Sequence, residues 1–176
     1  NNTTFRAALC AFAITGCLVS GIAEANVIQG PGAVAGGSNS VAVGDNAKSA
    51  GAKSVAVGNQ ATTVATNENG IAIGNGAKAE GQQRVKVPHP ASTIAIGTAA
   101  TAKENGDIVI GRNASSTISM FHQQPGSGAV VMGAESASYG SRGDVVIGAA
   151  AEANIIRKGS KNDSDGQKFS QSVAIG

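Results

Sequence analysis

Two histidines are the residues of this chain best suited to acid–base chemistry or metal binding. His89 lies between two prolines, and His122 lies in a second proline-containing stretch further along the chain. A general base needs a partner that orients its imidazole, and a zinc site needs several ligands at close spacing. The sequence offers neither, so we expect exposed loop histidines, no catalytic residue, no metal site and no cofactor.

Two further patterns bear on metal binding and on redox chemistry. Asn162–Gly166 resembles a calcium loop, with oxygen-bearing side chains two apart before a glycine. The bidentate Glu that should end such a loop is absent, so a solvated turn is the better interpretation. Cys10 and Cys17 both lie in the apolar N-terminal stretch, which excludes disulfides and thiolate sites from the rest of the chain.

Positive side chains cluster in two stretches that interrupt the regular part of the chain. The formal net charge of the chain is only +2, which provides no field that would attract nucleic acid. Loops that protrude from a rigid scaffold often carry recognition, although an exposed soluble loop has the same composition. The candidate ligand contacts are Arg84, Lys86, His89, Phe121, His122, Arg157, Lys158, Lys161 and Lys168.

These stretches interrupt a five-residue motif that occurs eight times, each copy a short aliphatic strand ending in glycine. The clean intervals between glycines are 14, 14, 15 and 16 residues, and longer intervals carry insertions near residues 81–92, 116–128 and 152–170. Val27–Gly30 reads as a degraded first copy, and the last interval, from Gly148 to Gly176, holds either two units or, as we favour, one long loop. The closing glycines are Gly44, Gly58, Gly74, Gly97, Gly111, Gly133, Gly148 and Gly176.

Alternation within the motif predicts two short strands and two turns per unit, with two distinct faces. We expect the glycines to have positive φ or close backbone neighbours, and the β-branched residues to point into the core. The predicted core consists of Val41, Val43, Val55, Val57, Ile71, Ile73, Ile94, Ile96, Ile108, Ile110, Val145 and Ile147. The predicted outward stripe consists of Ala42, Ala56, Ala72, Ala95, Val109, Val131 and Val146.

A unit of about 14 residues is the length of one flattened coil in a parallel β-roll, each coil adding about 4.8 Å of axis. We therefore expect an all-β solenoid. Its core is thin, because the motifs supply mainly Ala, Val and Ile and the repeat region has few aromatic residues. Association of identical rods along the outward stripe would bury it, so we expect an obligate oligomer.

The N-terminal residues have the pattern of an export signal. Arg6 precedes an apolar run over residues 7–22, and Ala23 and Ala25 supply the small residues of a cleavage site. A lipidated Cys17 and a retained membrane anchor are the alternatives. We expect residues 1–25 to be the C-terminal part of a signal peptide and residues 26–176 to be a head domain truncated at its C-terminus.

Asn39–Gly51 resembles, at nearly every position, the head repeat of the YadA-like trimeric autotransporter adhesins, and the likeness extends over about residues 27–176. It implies a left-handed parallel β-roll, a homotrimer, display on a stalk at the bacterial outer membrane, and attachment to host matrix proteins, glycans or cells in virulence. The family's collagen motif begins like Asn39–Gly44, but Ala47 stands where that motif has Ser, which weakens a collagen assignment.

Two other classes of protein use comparable repeats. Ile108–Ala114 resembles a hexapeptide repeat of the left-handed acyltransferases, but three hexapeptides make each of their coils and a histidine serves as base, so the shorter unit here argues against an enzyme. A structural fibre segment of the phage-tail-fibre type, without a receptor of its own, is the main alternative. The signal-like start favours the adhesin.

Overall fold

The chain folds into two parallel β-sheets that face each other across a narrow interior. The computed structural model describes residues 26–82, 92–117, 128–139, 143–153 and 173–176. Sheet A contains β1 (Val27–Gln29), β3 (Val41–Val43), β5 (Val55–Val57), β7 (Ile71–Ile73), β9 (Ile94–Ile96), β11 (Ile108–Ile110), β13 (Val130–Met132), β15 (Val145–Ile147) and β17 (Val173–Ile175). Sheet B contains β2 (Val34–Ala35), β4 (Lys48–Ser49), β6 (Thr62–Thr63), β8 (Lys78–Gln82), β10 (Thr101–Glu104), β12 (Ser115–Thr117), β14 (Ala137–Tyr139) and β16 (Glu152–Ala153).

Successive motifs stack directly on one another. Val41 pairs with Val55, and Val55 pairs with Ile71, so each coil contributes one strand to sheet A and one to sheet B. Within the described residues all regular structure is β-strand, and no helix there is long and apolar enough to cross a membrane. The prediction of an all-β, parallel β-roll is confirmed.

The two uncertain ends of the repeat region both belong to the roll. β1 pairs in register with β3, with Val27 beside Val41, so the degraded first copy is a true coil. β17 pairs directly with β15, with Val145 beside Val173. The last interval of the repeat therefore holds one coil with a long connection, as we favoured.

Each strand of sheet A from β1 to β15 leads into sheet B through a four-residue turn that begins with the glycine closing that strand. We call this side of the roll the glycine edge. The φ angles there are +122° at Gly44, +131° at Gly58 and +130° at Gly97. A Cβ atom on Gly58 would lie 2.5 Å from the carbonyl oxygen of Gly74 in the next coil. Both predicted reasons for glycine, positive φ and close backbone approach, are confirmed at these turns.

The predicted orientation of the motif is wrong. Ala42, Ala56, Ala72 and Ala95 are fully buried inside the roll, as are Val109, Val131 and Val146, which we expected to point outward. The β-branched pairs lie on the outer face of sheet A, where Ile73 and Ile147 expose 38% and 41% of their surface. The residues wrongly assigned to the core are Val41, Val43, Val55, Val57, Ile71, Ile73, Ile94, Ile96, Ile108, Ile110, Val145 and Ile147.

The reversal follows from how close the two sheets lie. A four-residue turn brings sheet B directly under sheet A. The last turn residue and sheet B also send small side chains inward, including Ala47 and Ala61 from the turns and Ser49 and Thr63 from sheet B. The interior is therefore a single layer of Ala, Ser and Thr with occasional Val, and two β-branched side chains per coil would overfill it. A three-residue strand places two of its side chains on one face, and that face is the outer one.

The outer faces of the two sheets differ in chemistry. The outer column of sheet B runs through Lys48, Thr62, Lys78 and Thr101 in successive coils. The outer face of sheet A carries two aliphatic side chains in nearly every coil. Within the described residues, only the outer face of sheet A is therefore both apolar along the whole roll and exposed to water.

Insertion edge of the roll, the candidate binding site

All long connections of the chain are on one side of the roll. The connections at the glycine edge, from sheet A to sheet B, have four residues in every coil. The return connections, from sheet B to sheet A, differ in length, and we call their side the insertion edge. Short returns span residues 36–40, 50–54, 64–70, 105–107 and 140–144, and long returns span residues 83–93, 118–129 and 154–172.

The long returns alternate with short ones. The returns after β8, β12 and β16 are long, and those after β10 and β14 are short. Neighbouring strands in a sheet are about 4.8 Å apart, so the long returns begin about 10 Å from one another along the axis. The parallel topology therefore brings together at one edge three segments that lie far apart in the sequence.

The candidate ligand contacts belong to these three returns. Arg84, Lys86 and His89 lie between β8 and β9, and Phe121 and His122 lie between β12 and β13. The third return contains Arg157, Lys158, Lys161 and Lys168. All nine residues lie outside the described residues, so their role as contacts stays a prediction. Sequence spacing alone did not indicate that their three segments start from the same edge.

A strip of buried polar side chains runs beneath the insertion edge. The Ser49 and Ser54 hydroxyls are 2.7 Å apart, and the Ser54 Oγ is 2.9 Å from Thr63 Oγ1. Further along the roll the strip continues with Asn67, Asp107 and Asp144, all of which are fully buried. The sequence carried a signal for this strip that we did not use, because the first residue of the motif is often Ser, Thr or Asp.

These polar residues are hydrogen-bonded, as buried polar groups must be to avoid a large desolvation cost. The Ser40 hydroxyl donates to the Gly37 carbonyl at 2.7 Å, and the Ser138 hydroxyl donates to Asp144 Oδ2 at 2.7 Å. Asp107 accepts backbone amides through both of its carboxylate oxygens. The strip thus serves as a polar lining that satisfies the backbone where the chain turns back.

No arrangement within the described residues points to catalysis by metal. They bring no three His, Cys, Asp or Glu side chains close enough together to hold an ion. The exposed ion pair between Arg112 and Glu135, 2.8 Å from Nη2 to Oε1, lies on the glycine edge. The described residues of the insertion edge form a hydrogen-bonded base at which the three long returns begin and end, an arrangement suited to binding.

Comparison with known proteins supports a binding role. A family model described as YadA head domain repeat (2 copies) matches residues 30–61, 65–83 and 91–114. The comparison with curated proteins finds no significant match. The matched residues include most of the strands from β2 to β11, on both sides of the first long return. The coils within residues 30–61, 65–83 and 91–114 are therefore YadA-like head repeats, the type of repeat found in the heads of trimeric autotransporter adhesins.

Proposed function

We propose that this protein is the head of a bacterial surface adhesin, a homotrimer that attaches to host matrix proteins, glycans or cells through its insertion edge. The family is one of non-enzymatic adhesins exported to the cell surface. The observation that carries the proposal is the confinement of all three long returns to one edge of an otherwise regular roll. Binding segments on a rigid scaffold are the usual arrangement of recognition proteins.

Trimer formation is supported by the outer face of sheet A. Its aliphatic pairs form two columns along nine strands, interrupted only by Gln29 at one end. Each chain alone buries mainly alanine, so its interior contributes little of the apolar burial that stabilises a domain. Packing the sheet A faces of three chains against one another would supply the missing burial and leave the polar face of sheet B in water.

The chemistry of the long returns supports an acidic ligand. Together they contain six Lys and Arg residues and two Asp residues, whereas the whole chain has a net charge of only +2. A trimer displays each return three times, and repeated weak contacts to a repeating polymer add up to strong attachment. Sulfated or carboxylated glycans have the required repeating negative charge.

The test is binding of the purified protein to heparin, used as a sulfated polysaccharide probe, in surface plasmon resonance. We expect Arg157→Glu with Lys158→Glu to weaken binding at least tenfold, because two contacts per chain become repulsive. The matched control is Lys48→Glu with Lys78→Glu, which changes the charge equally on the outer face of sheet B.

The control should retain most of the binding, because it changes the total charge equally but does so away from the insertion edge. Equal losses in both variants would contradict a site at the insertion edge. A wild-type protein that binds neither heparin nor any matrix protein in a screen would favour the structural fibre segment instead.

A further inference from the structure

The identity of the buried corner residue correlates with the length of the return that follows. The corner residue is the first residue of the motif, at the insertion edge just before the sheet A strand. Ser40, Ser54, Thr93 and Ala129 open coils that end in short returns. Asp107 and Asp144 open coils that end in the long returns 118–129 and 154–172. Both carboxylate corners thus precede long returns, whereas the buried corners that precede short returns are Ser, Thr or Ala.

The two kinds of corner make opposite hydrogen bonds. Ser54 donates its hydroxyl to the Gly51 carbonyl at 2.5 Å, which closes a turn within its own return. Asp107 accepts the Glu104 amide at Oδ2 and the Ala129 amide at Oδ1, both at 3.0 Å. Ala129 is the corner of the next coil, so Asp107 holds the point where the chain re-enters the roll after the long return.

A neighbouring residue holds the re-entry point of the preceding long return. Asn105 Oδ1 accepts the amide of Ser92, the first described residue after 83–91, at 2.9 Å. The Gly106 amide donates to the Ser92 carbonyl at 3.1 Å. The three-residue return 105–107 thus binds the chain on both sides, at Ser92 and at Ala129.

The remaining long return is preceded by an amide that takes the place of a corner side chain. The motif begins there with Gly70, and a Cβ atom on Gly70 would lie 2.6 Å from Cγ of Asn67. Asn67 Nδ2 donates to the Thr93 hydroxyl, the next corner, at 2.5 Å, and to the Ala79 carbonyl at 2.9 Å. Among the described residues, the buried Asn67 Oδ1 has no hydrogen-bond partner, which costs stability.

A contact like that between Asp107 Oδ1 and the Ala129 amide also forms at the other end of the roll. Asn26 occupies the corner position of the first coil, and its Oδ1 accepts the amide of Ser40, the next corner, at 3.0 Å. A side-chain oxygen at this position therefore reaches the amide of the following coil. Asn26 is exposed and precedes a short return, so the correlation with return length concerns the buried corners.

We propose that Asn67, Asn105 and Asp107 are positioning residues that fix where the first two long returns re-enter the roll, and that Asp144, at the corresponding corner, does the same for the third. The contacts lie at Ser92 and Thr93 in one coil and at Ala129 two coils further on, about 10 Å away along the axis. The proposal rests on the proposed function and deepens it, because fixed re-entry points lower the ordering cost that ligand binding must overcome. We call these positioning residues the clamp residues, and their hydrogen bonds to the re-entry points do not depend on the identity of the ligand.

The test is residue-resolved amide hydrogen exchange on the whole protein. In Asp107→Ser, which introduces the corner of a short-return coil, we expect the Glu104 and Ala129 amides to exchange at least tenfold faster. The Ala114 amide, bonded to the Gly111 carbonyl at the glycine edge of the same coil, is the internal control and should not change. Asp107→Asn retains one acceptor oxygen, so one of the two amides should stay protected.

A second pair of variants uses a residue that is only half-buried and less critical for folding. Asn105→Ala should accelerate exchange at Ser92 at least tenfold, and Asn105→Asp, which keeps the acceptor oxygen, should restore protection. Unchanged exchange at both Ser92 and Ala129 would overturn the proposal, as would a uniform increase throughout the roll. If the wild-type protein does not bind heparin, the acidic-ligand proposal fails. The exchange data still test whether the clamp residues hold the re-entry points of the long returns.

Discussion

Gly58→Ala is expected to prevent the roll from folding, with a loss of more than about 4 kcal/mol per chain. Gly58 has a φ of +131°, a conformation that L side chains rarely adopt. The added Cβ would also lie 2.5 Å from the oxygen and 2.7 Å from the carbon of the Gly74 carbonyl. Moving Gly74 away would break the hydrogen bond that its amide donates to the Val57 carbonyl and would separate two stacked coils.

The matched control is Gly76→Ala, in the turn of the next coil. Gly76 has a φ of +65°, and a Cβ atom there would have nothing within 4 Å. Ala99 and Ala150 already occupy the same left-handed turn position, with φ of 56° and 55°. We expect a cost of about 1 kcal/mol, measured as a small shift of the thermal midpoint in circular dichroism. Equal costs for the two variants would contradict the close-approach argument.

These glycines show how far the sequence leads towards the fold. The spacing of Gly44, Gly58, Gly97 and Gly111 predicts coils of about 14 residues, and strand alternation predicts two faces. Both predictions depend on local geometry, which a repeated motif reports directly. Even the degraded copy at Val27–Gly30 is recognisable, because its spacing survives although its sequence does not.

The direction of the two faces depends on an interaction that no single motif contains. In isolation, Val41 and Val43 are more hydrophobic than Ala42, which favours placing them inside. The deciding fact is the thickness of the interior, which is set by the facing side chains of the turns and of sheet B, such as Ala47 and Ser49. The middle residue of the motif is Ala in five of the nine strands, whereas both flanking residues are β-branched in most of them, and this difference in size was the available signal for a crowded position.

The insertion edge could be predicted only in part. The composition of the insertions identified Arg84, Lys86 and the later basic cluster as candidate contacts. Their common origin at one edge follows from which turn each insertion lengthens, and that requires the strand bounds. The clamp residues were not predicted from the sequence, because Asp107 was assigned to the repeated motif. Its carboxylate becomes informative only once the Ala129 amide of the next coil is known to lie 3.0 Å away.

The reversed faces change what substitutions on sheet A should do. Val55→Asp with Val57→Asp is expected to abolish trimer formation, since the two side chains lie half-buried on the outer face of sheet A. A trimer would bring six carboxylates into an apolar interface without partners, which costs several kcal/mol per charge. We expect association to weaken more than about a thousandfold, equivalent to about 4 kcal/mol, measured by sedimentation velocity.

The matched control is Thr62→Asp, on the outer face of sheet B in the same coil as Val55 and Val57. Thr62 is half-buried as well, but its neighbours in the outer column are Lys48 and Lys78, which suit a carboxylate. This variant should remain a trimer with a nearly unchanged melting midpoint.

A trimer that persists in the double valine variant would show that the chains associate elsewhere. A wild-type protein that sediments as a folded monomer would contradict association altogether. Dissociation of the valine variant with retention of the threonine variant would place the subunit interface on sheet A, which leaves the insertion edge free for ligand.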